Sequence, residues 1–158
     1  MITDDVKSFI KEKGIDYIFC SFVELTGAPK AKLVPARYIE EVAREGAGFA
    51  GFACGDVGQG PHDPDICSVP DFRSLTVLPW RKNIAWVAGD LHVNGEPWPL
   101  CPRTVFKRRL EEARQQGYVF NVGVEPEFML LKKDSGGEYR PWDPLDTLGK
   151  PCYDLLAL

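Results

Sequence analysis

The chain has 158 residues, 44% of them hydrophobic, which is enough for one globular domain or for a small domain and part of a second. Its net charge of -4 and its dispersed basic residues argue against a nucleic-acid partner, which would require a basic face. No apolar run approaches the roughly 20 residues of a membrane helix, and the N-terminus lacks the basic and apolar regions of a signal peptide. We therefore expect a globular cytoplasmic protein without a membrane partner.

The five cysteines are odd in number, widely spaced and free of any Cys-x-x-Cys pair. This pattern favours neither a disulfide framework nor a zinc knuckle. We predict reduced thiols at Cys20, Cys54, Cys67, Cys101 and Cys152.

The first hundred residues predict a small mixed sheet with one main helix. A short amphipathic helix begins at Thr3 or Asp4 and ends at Gly14. The β-branched and aromatic residues of 15–23 and 31–34 predict the two strands of a hairpin.

The main helix follows this hairpin. Pro35 suits its first turn and Gly46 its end, with apolar residues at helical spacing between them. Further strands are expected at 66–69, 75–78 and 84–91. After the last of them, Asn94-Gly95 predicts a two-residue hairpin turn of the primed type.

The stretch 46–60 is rich in glycine and also carries Phe49, Phe52 and Val57. It lacks the spacing of a phosphate-binding loop, and it does not follow a strand and open a helix as a dinucleotide-binding loop would. Two interpretations stay open. The loop packs its apolar residues against another surface, such as a second subunit, or it is an ordinary glycine-rich connection.

The segment Pro61-His-Asp-Pro-Asp65 offers an imidazole and two carboxylates, which are groups that bind metal ions. Its prolines and aspartates are also typical turn residues. We interpret the segment as a turn rather than a metal site.

A second long helix is predicted from Thr104, as its cap, to Gly117, with Phe106, Leu110 and Ala113 on one face. The charged residues of this helix have mixed signs at helical spacing, which is typical of a solvated helix surface. They are Lys107, Arg108, Arg109, Glu111, Glu112 and Arg114.

Residues 118–131 predict a strand that contains Glu125 and Glu127 within an apolar run. Side chains alternate between the two faces of a strand, so both carboxylates project from one face. Neighbouring carboxylates repel each other unless a cation lies between them, and Mg²⁺ or Mn²⁺ prefers such oxygen ligands. We predict a metal site at Glu125 and Glu127. The alternative is a solvated strand face.

The last part of the chain contains the turn-rich Asp134-Ser-Gly-Gly137 and the apolar residues 153–158. That apolar segment predicts the start of a helix without room to finish. We therefore expect a fragment of a longer protein.

Six separate motifs carry a resemblance to a known family. They are Lys32-Leu-Val-Pro35, Ser68-Val-Pro-Asp71, Leu78-Pro-Trp80, Ala88-Gly-Asp-Leu-His-Val-Asn-Gly95, Pro102-Arg-Thr-Val-Phe-Lys107 and Gly123-Val-Glu-Pro-Glu-Phe-Met-Leu130. In this order they resemble the glutamine synthetase family over almost the whole chain. The resemblance implies an α+β fold: a β-grasp-like N-terminal domain over residues 1–99, then an incomplete start of the catalytic domain, with its first helix and strand, over residues 100–158.

The resemblance also implies an ATP-dependent ligase that phosphorylates the γ-carboxylate of glutamate and lets ammonia or a small amine displace the phosphate. Divalent ions would shield the phosphates, with carboxylates holding the ions. By the motif match, Glu125 binds the ion associated with ATP and Glu127 the ion near glutamate. The nucleotide site and the remaining ligands are implied beyond Leu158, and the full-length protein is expected to be a homo-oligomer. The rival interpretation is a non-catalytic β-grasp module that acts in assembly or regulation.

One segment departs from the family pattern. Typical members have Asp-Gly-Ser-Ser in the glycine-rich stretch, with the Asp near the ammonium site of the adjoining subunit, whereas the matching residues here are Ala50-Gly-Phe-Ala53. The missing carboxylate removes a partner for NH₄⁺, and Phe52 makes the region more apolar. Methylamine is therefore an alternative to ammonia, and Asp56 is a candidate replacement for the carboxylate. Residues 48–53 most resemble the γ-glutamylmethylamide synthetase-like members of the family.

Overall fold

The computed structural model describes residues 3–55 and 59–144. The chain falls into two compact units, Met1–Val119 and Phe120–Leu158. The first unit combines a mixed sheet with helices, so the fold is α+β, as the sequence predicts. The domain division between residues 99 and 100 rests on motifs and stays a prediction.

Most of the regular structure belongs to the first unit. In chain order it contains α1 (Asp4–Glu12), β1 (Tyr17–Val23), β2 (Pro29–Pro35), α2 (Ile39–Glu45), β3 (Ala47–Phe49), β4 (Ile66–Pro70), β5 (Thr76–Leu78), β6 (Arg81–Val93), β7 (Glu96–Pro97) and α3 (Pro102–Gln115). The second unit contains β8 (Leu131–Lys133) and β9 (Tyr139–Pro141). No helix within the described ranges is long and apolar enough to cross a membrane.

Strand β6 is the centre of the first unit because it is long enough to pair with several strands. It runs parallel to β1, with Tyr17 opposite Ile84, and antiparallel to β4, with Ile66 opposite Val93. The sheet order is β2-β1-β6-β4-β3, and β5 and β7 also pair with β6. A parallel pair needs a long crossover connection, which the chain between β1 and β6 supplies. The hairpin, the helix and the parallel strand agree with the β-grasp-like arrangement that the motifs imply.

The hydrophobic core lies against one face of this sheet. Alternate residues of β1, namely Ile18, Cys20 and Phe22, are buried in one cluster with Ile39 and Val42 of α2. This spacing of two residues is that of side chains on one face of a strand, and Ser21 on the other face is buried as well. Full burial of each large apolar side chain contributes about 1.5–3 kcal/mol of folding free energy.

One predicted turn and one predicted helix end are confirmed by backbone angles. Asn94 and Gly95 have φ values of 53° and 83°, as a type I′ hairpin turn requires. Gly46, with a φ of 80°, follows the last residue of α2. Glycine adopts this conformation without the steric cost that a Cβ atom would bring.

Predictions at the start of α2, at the start of α3 and in the glycine-rich stretch were wrong. Pro35 ends β2, and α2 begins only at Ile39. Helix α3 begins at Pro102 with Cys101 as its N-cap residue, so Thr104 lies inside the first turn and does not cap the helix. Proline is favoured there because its missing N–H leaves no donor unsatisfied. In the glycine-rich stretch, β3 pairs with β4, so residues 47–49 form a strand rather than a loop. The partner of β3 is distant in sequence, and local composition gave no sign of it.

The cysteines behave as predicted where they are described. Cys20, Cys54, Cys67 and Cys101 are free thiols, and Cys152 lies outside the described residues. Burial raises the pKa of the Cys20 thiol to about 11. This thiol therefore stays protonated and unreactive at neutral pH.

Candidate functional site

The strand predicted over residues 118–131 is not formed over most of its length. Residues 118–130 have neither helix nor strand, and pairing begins only at Leu131, where β8 pairs with β9 across the predicted turn at 134–137. A strand persists only when neighbouring strands satisfy its backbone hydrogen bonds. No described strand pairs with residues 118–130. The predicted helix start at 153–158 lies outside the described residues.

Glu125 and Glu127 lie in this irregular segment, and both are exposed. Neither has a hydrogen bond or an ion pair within the part of the chain that the structure describes. The neighbouring apolar side chains are exposed as well, by 85% for Val124 and 81% for Phe128. The two carboxylates are therefore close in sequence and unpaired, but no strand holds them on one face.

The carboxylates of Glu125 and Glu127 are of the ligand type that Mg²⁺ and Mn²⁺ bind. Both ions prefer carboxylate oxygens and take about six ligands, some of them waters. Residues 3–55 and 59–144 contain no group of three or more His, Cys, Asp or Glu side chains that could hold a metal ion. Glu125 and Glu127 would thus form only part of a coordination shell, and their role in metal binding stays a prediction.

The segment at 61–65 has the turn that its composition predicts. The Asp63 carboxylate accepts a hydrogen bond from the Gly60 backbone N–H at 2.6 Å. A carboxylate that accepts from a nearby backbone N–H is a common way to stabilise a turn. This contact supports the predicted turn.

The main electrostatic feature of the first unit is a group of four side chains, Asp71, Asp90, Arg103 and Lys107, here called the ion cluster. The Arg103 guanidinium donates to Asp71 Oδ2 at 2.8 Å and to Asp90 Oδ1 at 2.7 Å. The Lys107 ammonium donates to Asp90 Oδ2 at 2.5 Å and to Asp71 Oδ2 at 3.4 Å. Each cation therefore contacts both carboxylates.

The ion cluster is partly withdrawn from water. The side chain of Asp71 is 8% exposed, and that of Asp90 is 22% exposed. Arg73 adds two further hydrogen bonds to the Asp71 carboxylate, at 2.9 and 2.7 Å. The hydrogen bonds from Arg73, and then those from Arg103, hold the pKa of Asp71 far below its usual range, although burial acts in the opposite direction. The Asp71 carboxylate is therefore charged throughout the physiological pH range.

Three elements bring the ion cluster together. Asp71 follows β4 and caps the short 3₁₀ turn Phe72–Ser74, whereas Asp90 lies within β6. Arg103 and Lys107 are four residues apart in α3, and this spacing places them on one face of the helix. The cluster therefore connects the beginning of α3 to two neighbouring parts of the sheet.

Sequence reasoning missed this cluster. It assigned Lys107 to a solvated helix surface, which is wrong because the ammonium bonds to two partly buried carboxylates. The same assignment is correct for the exposed pair Glu111 and Arg114, whose charged groups lie 2.8 Å apart on the same helix. The usable signal was the four-residue spacing of Arg103 and Lys107, but their acidic partners are distant in sequence.

The glycine-rich stretch packs in part against its own unit. The Phe49 ring is buried and meets the Phe22 ring edge to face, with centroids 5.0 Å apart. The Lys32 ammonium lies 5.1 Å from the centre of the Phe49 ring and donates a hydrogen bond to the Gly48 carbonyl. Of the two open interpretations, packing against a surface is therefore correct for Phe49, and that surface belongs to the same chain.

The next part of this stretch remains open to solvent. Residues Gly51–Ala53 form a 3₁₀ turn, and the Phe52 ring on it is 53% exposed. Asp56, the candidate replacement for the missing carboxylate, lies outside the described residues. The described turn therefore presents an aromatic ring and no carboxylate.

Comparison with known proteins identifies the family. Residues 99–151 match the family model described as glutamine synthetase, catalytic domain. All of the chain aligns with a glutamate–methylamine ligase from Methyloversatilis universalis at 42% identity, and 99% of it aligns with a glutamine synthetase from Rhizobium meliloti at 41% identity. The chain belongs to the glutamine synthetase family. Its motif-based identification is thereby confirmed.

The solved structures lead to the same family. The complex of GmaS with ADP has a TM-score of 0.80 to this chain, with 38% identity over 99% of its residues. The chain spans about a third of the length of these proteins, namely 36% of the methylamine ligase, 35% of the Rhizobium glutamine synthetase and 35% of the GmaS chain.

The match to the glutamine synthetase catalytic domain begins inside the first unit. It contains Arg103 and Lys107 as well as Glu125 and Glu127, whereas both aspartates of the ion cluster precede it. The ion cluster therefore joins the sheet to a helix that belongs to the catalytic-domain match.

Proposed function

We propose that this chain is the N-terminal part of an ATP-dependent glutamate–amine ligase that forms a γ-glutamyl amide through γ-glutamyl phosphate. The observation that carries the proposal is similarity along the whole chain to proteins named as ligases of glutamate with methylamine, and to glutamine synthetases. A relative named glutamate–isopropylamine ligase, from a Pseudomonas species, aligns with 96% of the chain at 32% identity. These names share one reaction class and differ in the amine.

In this proposal Glu125 holds the divalent ion associated with ATP, and Glu127 holds the ion near glutamate. A bound Mg²⁺ or Mn²⁺ supplies charge stabilisation for the transferring phosphoryl group. The two carboxylates would contribute negative charge and oxygen ligands. The absence of other partners for them within the described residues leaves both free for this role. The remaining ligands and the nucleotide site belong to the part of the full-length protein outside this chain.

The direct test uses the purified full-length protein with ATP, glutamate, Mg²⁺ and either ammonium or methylamine. We expect phosphate release that requires both glutamate and an amine, and a γ-glutamyl amide detected by mass spectrometry. Omission of each substrate in turn is the control. If the full-length protein releases no phosphate under these conditions, the ligase proposal is wrong and a non-catalytic module is favoured.

We further propose that an alkylamine such as methylamine is preferred over ammonium. The exposed Phe52 ring on the turn Gly51–Ala53 offers an apolar surface, and the position matched to the family's aspartate is Ala50. An apolar contact favours a methyl group, whereas NH₄⁺ is favoured by a carboxylate. The glycine-rich stretch would then contribute to the choice of amine.

The double substitution Ala50→Asp with Phe52→Ser tests this preference. We expect the ratio of kcat/KM for methylamine to that for ammonium to fall about tenfold, because one apolar contact discriminates a methyl group by roughly 1–3 kcal/mol. The control Tyr38→Ser removes an aromatic ring that is similarly exposed, at 47%, from another 3₁₀ turn. An unchanged ratio in the double variant would contradict the assignment of this turn to amine selection.

A further inference from the structure

The sheet of the first unit carries an open cleft on the face that is turned away from the hydrophobic core. Phe19, Ser21, Trp80 and Trp86 line this cleft, here called the aromatic cleft. Its volume is about 570 Å³, which is typical of sites for small molecules. Its walls come from β1, from the start of β2 and from the hairpin of β5 and β6.

Strand pairing brings the aromatic side chains of the cleft together. Phe19 of β1 lies opposite Trp86 of β6, and Trp86 in turn lies opposite Thr76 of β5. Trp80 ends the motif 78–80 and lies between β5 and β6. Trp86 is 37% exposed and Trp80 is 75% exposed. The cleft therefore offers two accessible indole rings, whose faces favour contact with a planar apolar group.

The cleft also contains a buried hydroxyl without a partner. Ser21 is 5% exposed and lies two residues after Phe19, so both side chains are on one face of β1. The Ser21 backbone carbonyl accepts a hydrogen bond from Ser68, but the Ser21 hydroxyl forms none with the residues that the structure describes. Because buried polar groups are almost always hydrogen-bonded, an unpaired hydroxyl in a cleft points to a partner on a ligand.

The cleft is electrically neutral over its described lining. Lys30 is the one ionisable residue among the described residues that line it. It lies opposite Phe22 in the pairing of β1 with β2, so its side chain is on the face of the sheet that is turned to the core. A charged ligand would lose its hydration in the cleft without gaining an opposite charge. The lining therefore favours an uncharged ligand.

We propose that the aromatic cleft binds a small, uncharged, planar aromatic compound that carries one hydrogen-bonding group. Trp80 and Trp86 contact its ring system, and the Ser21 hydroxyl bonds to its polar group. The recessed position of Ser21 favours a small ligand over a flat protein surface. This site lies outside the amine and phosphoryl chemistry of the proposed function.

The experiment uses the full-length protein with 2-naphthol as the probe, and with naphthalene as a matched probe that lacks the hydroxyl. Equilibrium dialysis at pH 7 without ligase substrates gives both dissociation constants. We expect Trp80→Ser to raise both constants about tenfold, because it removes an aromatic contact surface. Ser21→Ala should raise the constant for 2-naphthol about fivefold and leave that for naphthalene unchanged, because naphthalene has no group that bonds to the hydroxyl.

Trp142→Ser is the control for Trp80→Ser. Trp142 is similarly exposed, at 64%, but belongs to the second unit and does not line the cleft. This variant should leave both dissociation constants unchanged. Equal weakening by Trp142→Ser and Trp80→Ser would show general adsorption to exposed indole rings, and it would overturn the proposal.

Two further results would also overturn the proposal. If the unmodified protein binds neither compound, the cleft is covered in the full-length protein. A lower molar mass of Trp80→Ser by light scattering would then identify a second copy of the chain as the cover. If Ser21→Ala weakens the binding of both compounds equally, the hydroxyl acts through the fold and not through the ligand. None of these results depends on ligase activity, so the proposed function is tested separately.

Discussion

Asp71 contacts three cationic side chains of the first unit, and these contacts contribute to the stability of the fold. Its carboxylate is 8% exposed and faces Arg73, Arg103 and Lys107. Removing its negative charge would leave partly buried cations with one fewer partner, which costs more than loss of an exposed ion pair.

We therefore expect Asp71→Asn to lower the free energy of unfolding at pH 7 by about 2 kcal/mol. The folded-state pKa of Asp71 is depressed, so its contribution is complete above the pKa of the unfolded chain, about 3.9, and is lost as the pH falls from there towards the folded pKa. The difference in unfolding free energy between the unmodified protein and Asp71→Asn should thus become smaller below about pH 4. Urea unfolding followed by tryptophan fluorescence at several pH values measures this difference. A difference that stays constant down to pH 3 would contradict this account.

The proposed metal ligands give a second prediction for single residues. In the full-length protein, Glu125→Ala and Glu127→Ala should each lower turnover at least about 100-fold, because each removes a carboxylate ligand from a divalent ion. Glu125→Ala should chiefly weaken metal–nucleotide binding, whereas Glu127→Ala should chiefly weaken glutamate binding. Metal titrations at fixed ATP and glutamate separate the two effects. If both variants keep the original metal dependence and kcat, the carboxylates form a solvated surface.

Gly46 lies between α2 and β3, and its lack of a side chain allows the strand to follow the helix directly. Gly46 has a φ of 80°, and a Cβ atom built on it would lie 3.0 Å from Cys67 Cβ and 3.1 Å from the Ser68 carbonyl oxygen. Both contacts are with β4, the partner of β3. An alanine would therefore combine an unfavourable backbone conformation with a close contact against a strand that cannot easily move.

Gly46→Ala should consequently lower the free energy of unfolding by about 2 kcal/mol or more. Gly14→Ala is the matched control, since Gly14 also has a positive φ, 61°, but has no atom within 4 Å of its built Cβ. It should cost only the backbone strain, about 1 kcal/mol. Urea unfolding of both variants measures the difference, and equal losses would show that the contact with β4 adds nothing.

For the whole molecule, the second unit leaves several apolar side chains of residues 122–131 exposed. Val124, Phe128 and Met129 are exposed by 85, 81 and 87%. Exposed apolar segments with unpaired backbone groups recruit other chains. We expect the 158-residue chain by itself to associate at high concentration, which light scattering measures. Replacing Val124 and Phe128 by lysine should reduce the association, and a monomeric unmodified chain would contradict the prediction.

The sequence by itself determined the features that depend on near neighbours. The turn at Asn94-Gly95 and the glycine after α2 both follow from local conformational preference. The order of the motifs was sufficient to identify the family. Each motif is a short run of consecutive residues, so it is recognised from the sequence without knowledge of the residues that it contacts. Glu125 and Glu127 were predicted as metal ligands in the same way, and their role stays a prediction.

Tertiary structure alone decided which distant residues act together. Strand β3 and the parallel pairing of β1 with β6 depend on partners far along the chain, and the same is true of the bonds from Lys107 to Asp71 and Asp90. The segment 118–130 shows the converse, since a β-forming composition without a described partner strand did not become a strand. The physical reason is the same in each case. A backbone pairing or an ion pair needs two segments, and the sequence of one segment does not show which distant segment will be its partner.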